Sequence, residues 1–299
     1  MGLNKVRLSG GFQNDVFYLE KEKRVQRISS KKKTREMVQQ EIEWKDYLYQ
    51  NGIAVPKPDM NLEISDERVV TYFEFIDGEP IDVTNTGHWN LKRFEEFGKI
   101  LGRIHSLSKG YKVETIHRPK WTAENPDVFD ISKGLSREIR EKYEHLLKEL
   151  TAYKITPDTF GLIHNDFHQG NLIINREGTA YTIDFDDCSY NWFAQDIAVF
   201  FYHAYWQQGS FIGETETFCH EFLKRFLSGY QAKNTLDPVT IRQIPVFLKL
   251  REIFLYQLFL RTWDRNHLEE WQVYTLNDLE MKIKNDVPYA GIKDFNMYL

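Results

Sequence analysis

The chain has 299 residues, with 39 Lys+Arg against 44 Asp+Glu and a formal net charge of −5. That length allows a large core in two domains or one two-lobed unit, and an acidic balance offers no match to a nucleic-acid backbone. The only cysteines, Cys188 and Cys219, have no metal-type spacing and cannot build a disulfide framework, which fits a reducing compartment.

The N-terminus "MGLNKVRLSGG" lacks the apolar core of a signal peptide. The longest apolar stretch, Ile253–Leu260, is far too short to span a bilayer. A cytoplasmic protein with no membrane partner is expected.

In chain order, residues 6–28 read as short strands carried by "VRLSGG", "DVFYLE" and "RVQRI". Residues 31–51 read as a helix capped by Ser29 or Ser30 and stopped by Gly52 and "VPKP". The basic run Lys31–Arg35 reads as its solvated start. On this helix Met37, Glu41, Trp44 and Leu48 follow at spacings of four, three and four, so they share one face. Residues 62–64 and 69–76 read as two further strands ending at the Asp77-Gly78 turn. From Leu91 the period changes to that of a helix, and a second helix is expected over 136–153. Short strands follow at 160–163, 171–175 and 180–185, with a turn at Glu177-Gly178. Everything from about Phe193 reads as helical and rich in aromatics. The expectation is an α+β chain: a small antiparallel-sheet lobe with one helix over residues 1–78, a hinge near 74–80, and a larger, mostly helical lobe over 79–299.

The chemistry concentrates in "LIHNDFHQGNLII", residues 162–174, where His164, Asp166 and Asn171 form H-x-D-x-x-x-x-N. Thirteen residues after Asn171 comes Asp184, in "IDFDD" beyond a hairpin. An aspartate, an asparagine five residues on and a second aspartate returned by a hairpin suit phosphoryl transfer. One carboxylate takes the proton of the acceptor hydroxyl. An amide oxygen and the other carboxylate hold Mg²⁺ against nucleotide phosphates, since Mg²⁺ prefers a few hard oxygen ligands. The alternative is a polar turn that satisfies its own backbone.

"HNDFHQGNLII" and "IDFDDCSYNWFAQDIA" resemble the catalytic segment of the aminoglycoside phosphotransferase family, which is related to choline kinases and protein kinases. The resemblance runs over roughly residues 6–200 and implies a two-lobed, protein kinase-like fold using ATP and Mg²⁺. It implies that Asp166 is the catalytic base, that Asn171 and Asp184 are the metal ligands, and that Asp196 ties the catalytic loop down. His164 becomes an orienting histidine, and His168 either supports phosphate or is structural. In the small lobe it implies a phosphate loop at Gly10, Gly11 and Asn14, and an adenine-receiving linker at Glu74, Phe75 and Ile76. A strand cation paired with Glu41 is also implied; Arg27 stands where the family carries lysine, and arginine keeps the charge and the bidentate option. Read without the resemblance, Gly10-Gly11 is a hairpin turn and Glu41 a helix-edge carboxylate.

The acceptor is the least specified part. Tyr190, Trp192, Tyr202, Tyr205 and Trp206 read as core packing or as an aromatic wall for a cation. Asp264, Glu269 and Glu270 read as solvated or as contacts for an amine. Only eleven residues lie between Asp184 and Asp196, too few for the long peptide-platform segment of a protein kinase. The expected partners are therefore a nucleoside triphosphate and a small hydroxyl-bearing molecule of aminoglycoside, choline or homoserine type. A kinase acting on protein Ser/Thr and a silent nucleotide-binding relative are the alternatives.

Overall fold

The computed structural model describes residues 5–8 and 14–298. The first half of these elements is β1 (Lys5–Arg7), β2 (Asp15–Leu19), β3 (Arg24–Ile28), α1 (Arg35–Gln50), β4 (Glu63–Ser65), β5 (Arg68–Glu74), β6 (Gly78–Pro80), α2 (Leu91–Ser108) and α3 (Arg137–Thr151). Then come β7 (Phe160–Ile163), β8 (Leu172–Asn175), β9 (Ala180–Thr182), β10 (Ser189–Trp192), α4 (Phe193–Phe211), α5 (Glu216–Gln231), α6 (Pro238–Thr262) and α7 (Glu270–Lys284). They group into two compact units by packing rather than by chain order.

The first unit comprises Met1–Asp82, Lys112–Arg118 and Gln169–Cys188. Its main sheet is antiparallel, in the order β1-β2-β3-β5-β4. Val38 and Ile42 of α1 pack on Val69 and Phe73 of β5, all buried. A second antiparallel sheet, β6-β8-β9, closes the unit. Gly78 is required there, because a Cβ at that position would meet Ile174 O at 2.4 Å. The helix begins at Arg35, not at residue 31, because Thr34 rather than Ser29 or Ser30 caps it: its side chain accepts from Met37 N. Nor is the basic run before it wholly solvated, since the Lys33 side chain is only 10% exposed. The strand expected to reach residue 185 ends at Thr182. Asp184 lies beyond it with φ 60°, a left-handed conformation that an aspartate tolerates better than most side chains.

The second unit comprises Val83–Tyr111, Pro119–His168 and Ser189–Leu299. Helix α4 is apolar almost all round: Ile197, Ala198, Val199, Phe200 and Phe201 are all fully buried, as a central helix requires. Helices α2 and α5 approach through glycines at the crossing. A Cβ on Gly98 would meet Phe226 O at 2.0 Å, and one on Gly229 would meet Glu95 O at 2.0 Å. The β7–β10 pair, an antiparallel ribbon joining Phe160 to Trp192 and Ile163 to Ser189, leads directly into the loop carrying Asp166. Strands β6 and β10 escape the sequence reading: β6 holds Gly78 and Pro80, where a turn and hinge were expected, and β10 directly adjoins the helix that was expected from Phe193.

Candidate active site

In the first unit, Arg27 of β3 and Glu41 of α1 meet in a buried fork: Nη1–H donates to Oε1 at 2.6 Å and Nη2–H to Oε2 at 2.9 Å. Glu41 is fully buried. Burial alone raises a carboxyl pKa, but the charge and hydrogen bonds of Arg27 outweigh it and bring Glu41 down to about 2. The same pairing pushes Arg27 above its ordinary value against the opposing effect of burial. The exposed-edge reading of Glu41 is thereby excluded.

The hairpin of β8 and β9 brings the two expected metal ligands to its mouth. Leu172 pairs with Thr182, and Ile183 N–H donates to Asn171 O at 2.9 Å, so the backbones of Asn171 and Ile183 are bonded and Asp184 follows at once. Three cations then grip the segment after it. Lys33 Nζ donates to Asp186 O at 2.7 Å and lies 3.3 Å from its carboxylate. Arg118 donates through Nη2 to Asp186 O, and through Nε to Cys188 O at 2.8 Å. Arg27 Nη1 stands 3.7 Å from Asp186 Oδ1. The connection is fixed rather than free to swing.

A fourth cation is buried here. Lys45, one turn past Glu41, is 4% exposed, and its ammonium lies 3.8 Å above the Phe73 ring. Burial brings its pKa down to about 7 despite the nearby carboxylates of Glu41 and Asp184.

Of the remaining expected nucleotide contacts, Gly10 and Gly11 lie outside the described residues. Asn14 Oδ1 accepts from Ser30 N–H at 3.1 Å. Glu74 is exposed, with its backbone N–H on Lys57 O at 2.9 Å. Phe75 packs on Tyr18 with ring centroids 4.2 Å apart, and Ile76 is buried.

In the second unit the catalytic-type loop is clamped by Asp196 of α4. Its carboxylate accepts from His164 N–H at 3.0 Å and from Asn165 N–H at 2.6 Å, holding Asn165 at φ 72°. The same carboxylate takes His105 Nε2–H at 3.0 Å, and His105 Nδ1 accepts from Tyr230 O–H at 2.9 Å. This tautomer follows from the partners, since an ionised carboxylate only accepts. Burial keeps His105 below its ordinary pKa, so neutral, against the pull of Asp196.

Asp166 follows two residues after His164. His168 Nε2 lies 3.2 Å from its Oδ2, and Arg251 Nη2–H donates to its Oδ1 at 2.8 Å. Burial would raise the pKa of Asp166, but these two partners hold it well below the usual carboxylate range. It is ionised at neutral pH.

The aromatic residues expected either to pack or to form a wall mostly pack. Tyr190, Trp192 and Tyr202 are buried, and only Trp206 is substantially open, at 38%. Asp264, Glu269 and Glu270 are exposed, and Glu269 spends its side chain on the capping box of α7. Lys45, Arg118, His203 and Arg251 were not singled out from the sequence, and Lys33 only as part of a basic run read as solvated. Lys45 alone carried a local signal, a cation four residues after Glu41 on its inward stripe.

Residues 6–237 match the phosphotransferase enzyme family. The chain is similar to the amicoumacin kinase of Bacillus subtilis (strain 168), at 30% identity over 271 residues, 86% of this chain and 79% of that protein. It superposes on an amicoumacin kinase solved in complex with AMP-PNP, Ca²⁺ and Ami with a TM-score of 0.88 and 25% identity, covering 99% of this chain and 92% of that one. A microcompartment-associated aminopropanol kinase shares the fold, with a TM-score of 0.73 at 19% identity over 98% of this chain and 94% of that one. The fold is the two-lobed α+β architecture of the small-molecule kinases, and the chain belongs to the phosphotransferase enzyme family.

Proposed function

We propose that this phosphotransferase moves the γ-phosphoryl group of ATP directly to a hydroxyl of a small molecule in the cytoplasm. In this reading residues 1–78 hold the nucleotide, through Gly10, Gly11, Asn14, Arg27, Glu41, Glu74, Phe75 and Ile76, and residues 79–299 carry Asp166 and the acceptor. Asp166 takes the acceptor's O–H proton as the new O–P bond forms and the bond to the ADP leaving group breaks. Such transfer needs no covalent enzyme intermediate, because positioning and charge neutralisation supply most of the rate.

The observation that carries the reading is the Asn171–Ile183 hydrogen bond at 2.9 Å, which seats an amide and the Asp184 carboxylate at one hairpin mouth. Both are hard oxygen donors, the set that Mg²⁺ prefers, so Asn171 and Asp184 would hold the ion. Bound there, it would neutralise charge on the nucleotide phosphates. The gripped Asp186–Cys188 segment favours a small acceptor, because a peptide platform needs a long segment free to reorder. Amicoumacin is the first acceptor to try, given a relative at 30% identity over 86% of the chain.

The test is nucleotide consumption by the purified chain with Mg²⁺ and amicoumacin, aminopropanol, choline or aminoglycosides. Asp166→Asn should lower turnover by roughly 10²–10⁴ with nucleotide affinity retained. Ser/Thr labelling of a peptide library without any small-molecule turnover would overturn the reading.

A further inference from the structure

Asp166 sits in a ring of nitrogen groups that extends well beyond the catalytic-type loop. On one side, His168 Nε2 approaches Oδ2 at 3.2 Å. On the other, Arg251, from the middle of α6, reaches Oδ1 at 2.8 Å and also touches His203 Nε2 of α4 at 2.6 Å. The His203 ring stacks on that of His168, centroids 4.4 Å apart and planes 21° from parallel, which closes the ring.

The proton on His203 is fixed by its partner. A guanidinium has donors only, so His203 Nε2 must be the acceptor, which makes His203 neutral with its proton on Nδ1. Burial, and the Arg251 guanidinium beside it, hold its pKa well below the ordinary value, in agreement. The Asp166, His168 and His203 donor atoms lie within 4.8 Å of one another, a spacing suited to a metal ion. Arg251 already bonds two of the three, so the cation this set holds is the guanidinium.

Arg251 is 8% exposed, and Asp166 is its only ion-pair partner among the described residues. The Phe254 ring, on the same helix, lies 5.1 Å from the guanidinium carbon. A cation this buried, clamped between one carboxylate and one neutral imidazole, has little freedom of its own, and neither does the carboxylate it holds. A carboxylate bonded at only one oxygen can turn about its Cβ–Cγ axis; one bonded at both oxygens, from an α6 side chain and from its own loop, cannot.

We infer that Arg251 is the positioning residue for Asp166, with His203 as the second acceptor that fixes the guanidinium. This rests on Asp166 being the base. Its consequence is that the orientation of the base depends on a helix 85 residues away in sequence, in the part of the chain beyond the matched family region, residues 6–237.

The experiment uses the full chain with Mg·ATP, with amicoumacin as acceptor and, in parallel, the slower transfer to water, which needs no acceptor. Arg251→Gln should lower kcat roughly 10- to 100-fold, the scale of a misplaced catalytic group, with the KM for ATP unchanged. Arg251→Lys, which keeps the charge but not the planar guanidinium whose Nη2 serves both Asp166 and His203, should fall between. In the double variant, Arg251→Gln should add no loss to Asp166→Asn, as expected for two groups acting as a unit. Wild-type kcat in Arg251→Gln beside a silent Asp166→Asn overturns this inference and leaves the proposed function standing. Full turnover by Asp166→Asn overturns both. A measurement on the unaltered protein guards against a variant that does not fold. Long-range ¹H–¹⁵N imidazole spectra at pH 7 should show His203 neutral with the proton on Nδ1, and a charged His203, or one protonated on Nε2, contradicts the ring.

Discussion

Lys45 and Arg27 show how two buried cations on one unit differ in cost. Arg27 has a bidentate partner in Glu41; Lys45 has an aromatic face and no hydrogen bond among the described residues. Its pKa of about 7 against an ordinary 10.5 means that the unfolded chain holds the proton more tightly between those values. Folding stability from this residue therefore rises with pH through that window and is lowest below pH 7. Lys45→Met should raise stability at pH 6 by on the order of 3–5 kcal/mol and flatten the rise between pH 7 and 10, both read from denaturant midpoints. Glu41 has the opposite sign. Its depressed pKa, about 2 against 4.5, gives stability that is present above pH 4.5 and lost as pH falls towards 2. Arg27→Met leaves that carboxylate buried and without its fork, at a cost of about 3–5 kcal/mol. Adding Glu41→Leu should recover most of the loss while nucleotide binding stays impaired. If the double variant is no more stable than the single, the pair is not the source of the cost.

At the level of elements, helices were the most legible part of the sequence because their period persists over many turns. The start of α1 was misplaced because Ser29, Ser30 and Thr34 all suit a cap, and only geometry selects Thr34, whose side chain bonds Met37 N–H at 3.2 Å. Strand β6 was missed because its Gly78 and Pro80 carry turn character. The α2–α5 crossing was also invisible, since Gly98 and Gly102 look in sequence like mere helix weakeners. In the fold they are the contact: a Cβ at Gly98 would lie 2.0 Å from Phe226 O, a backbone atom that no rotamer change can move. Gly98→Ala would gain about 1 kcal/mol on helix propensity alone, yet the clash should make it destabilising by more than roughly 2 kcal/mol. A thermal melt decides the sign, and a stabilised variant would mean that the helices separate more easily than this packing allows.

For the whole molecule, the site was legible wherever its residues are close in sequence. His164, Asp166, Asn171, Asp184 and Asp196 fall within 33 consecutive positions, so spacing alone could bring them forward. The groups that hold them come from far away: Lys33 is 153 residues from Asp186, and Arg251 is 85 from Asp166. Pairing at such separations leaves no periodic trace in a single sequence. A ligand that binds the folded chain and not the unfolded one stabilises it, and mass action gives that effect a size. At a hundredfold excess over Kd, Mg·ATP should stabilise the native state by about 2.7 kcal/mol, which for a chain of this length raises Tm by roughly 4 °C. The shift should grow with the logarithm of nucleotide concentration. On the proposed role of Asn171 and Asp184 as metal ligands, it should shrink when Mg²⁺ is removed by a chelator. Asp184→Asn should reproduce the chelated behaviour with Mg²⁺ present, whereas Asp166→Asn should leave the shift intact. Equal shifts with and without the ion would place nucleotide binding outside the Asn171–Asp184 hairpin.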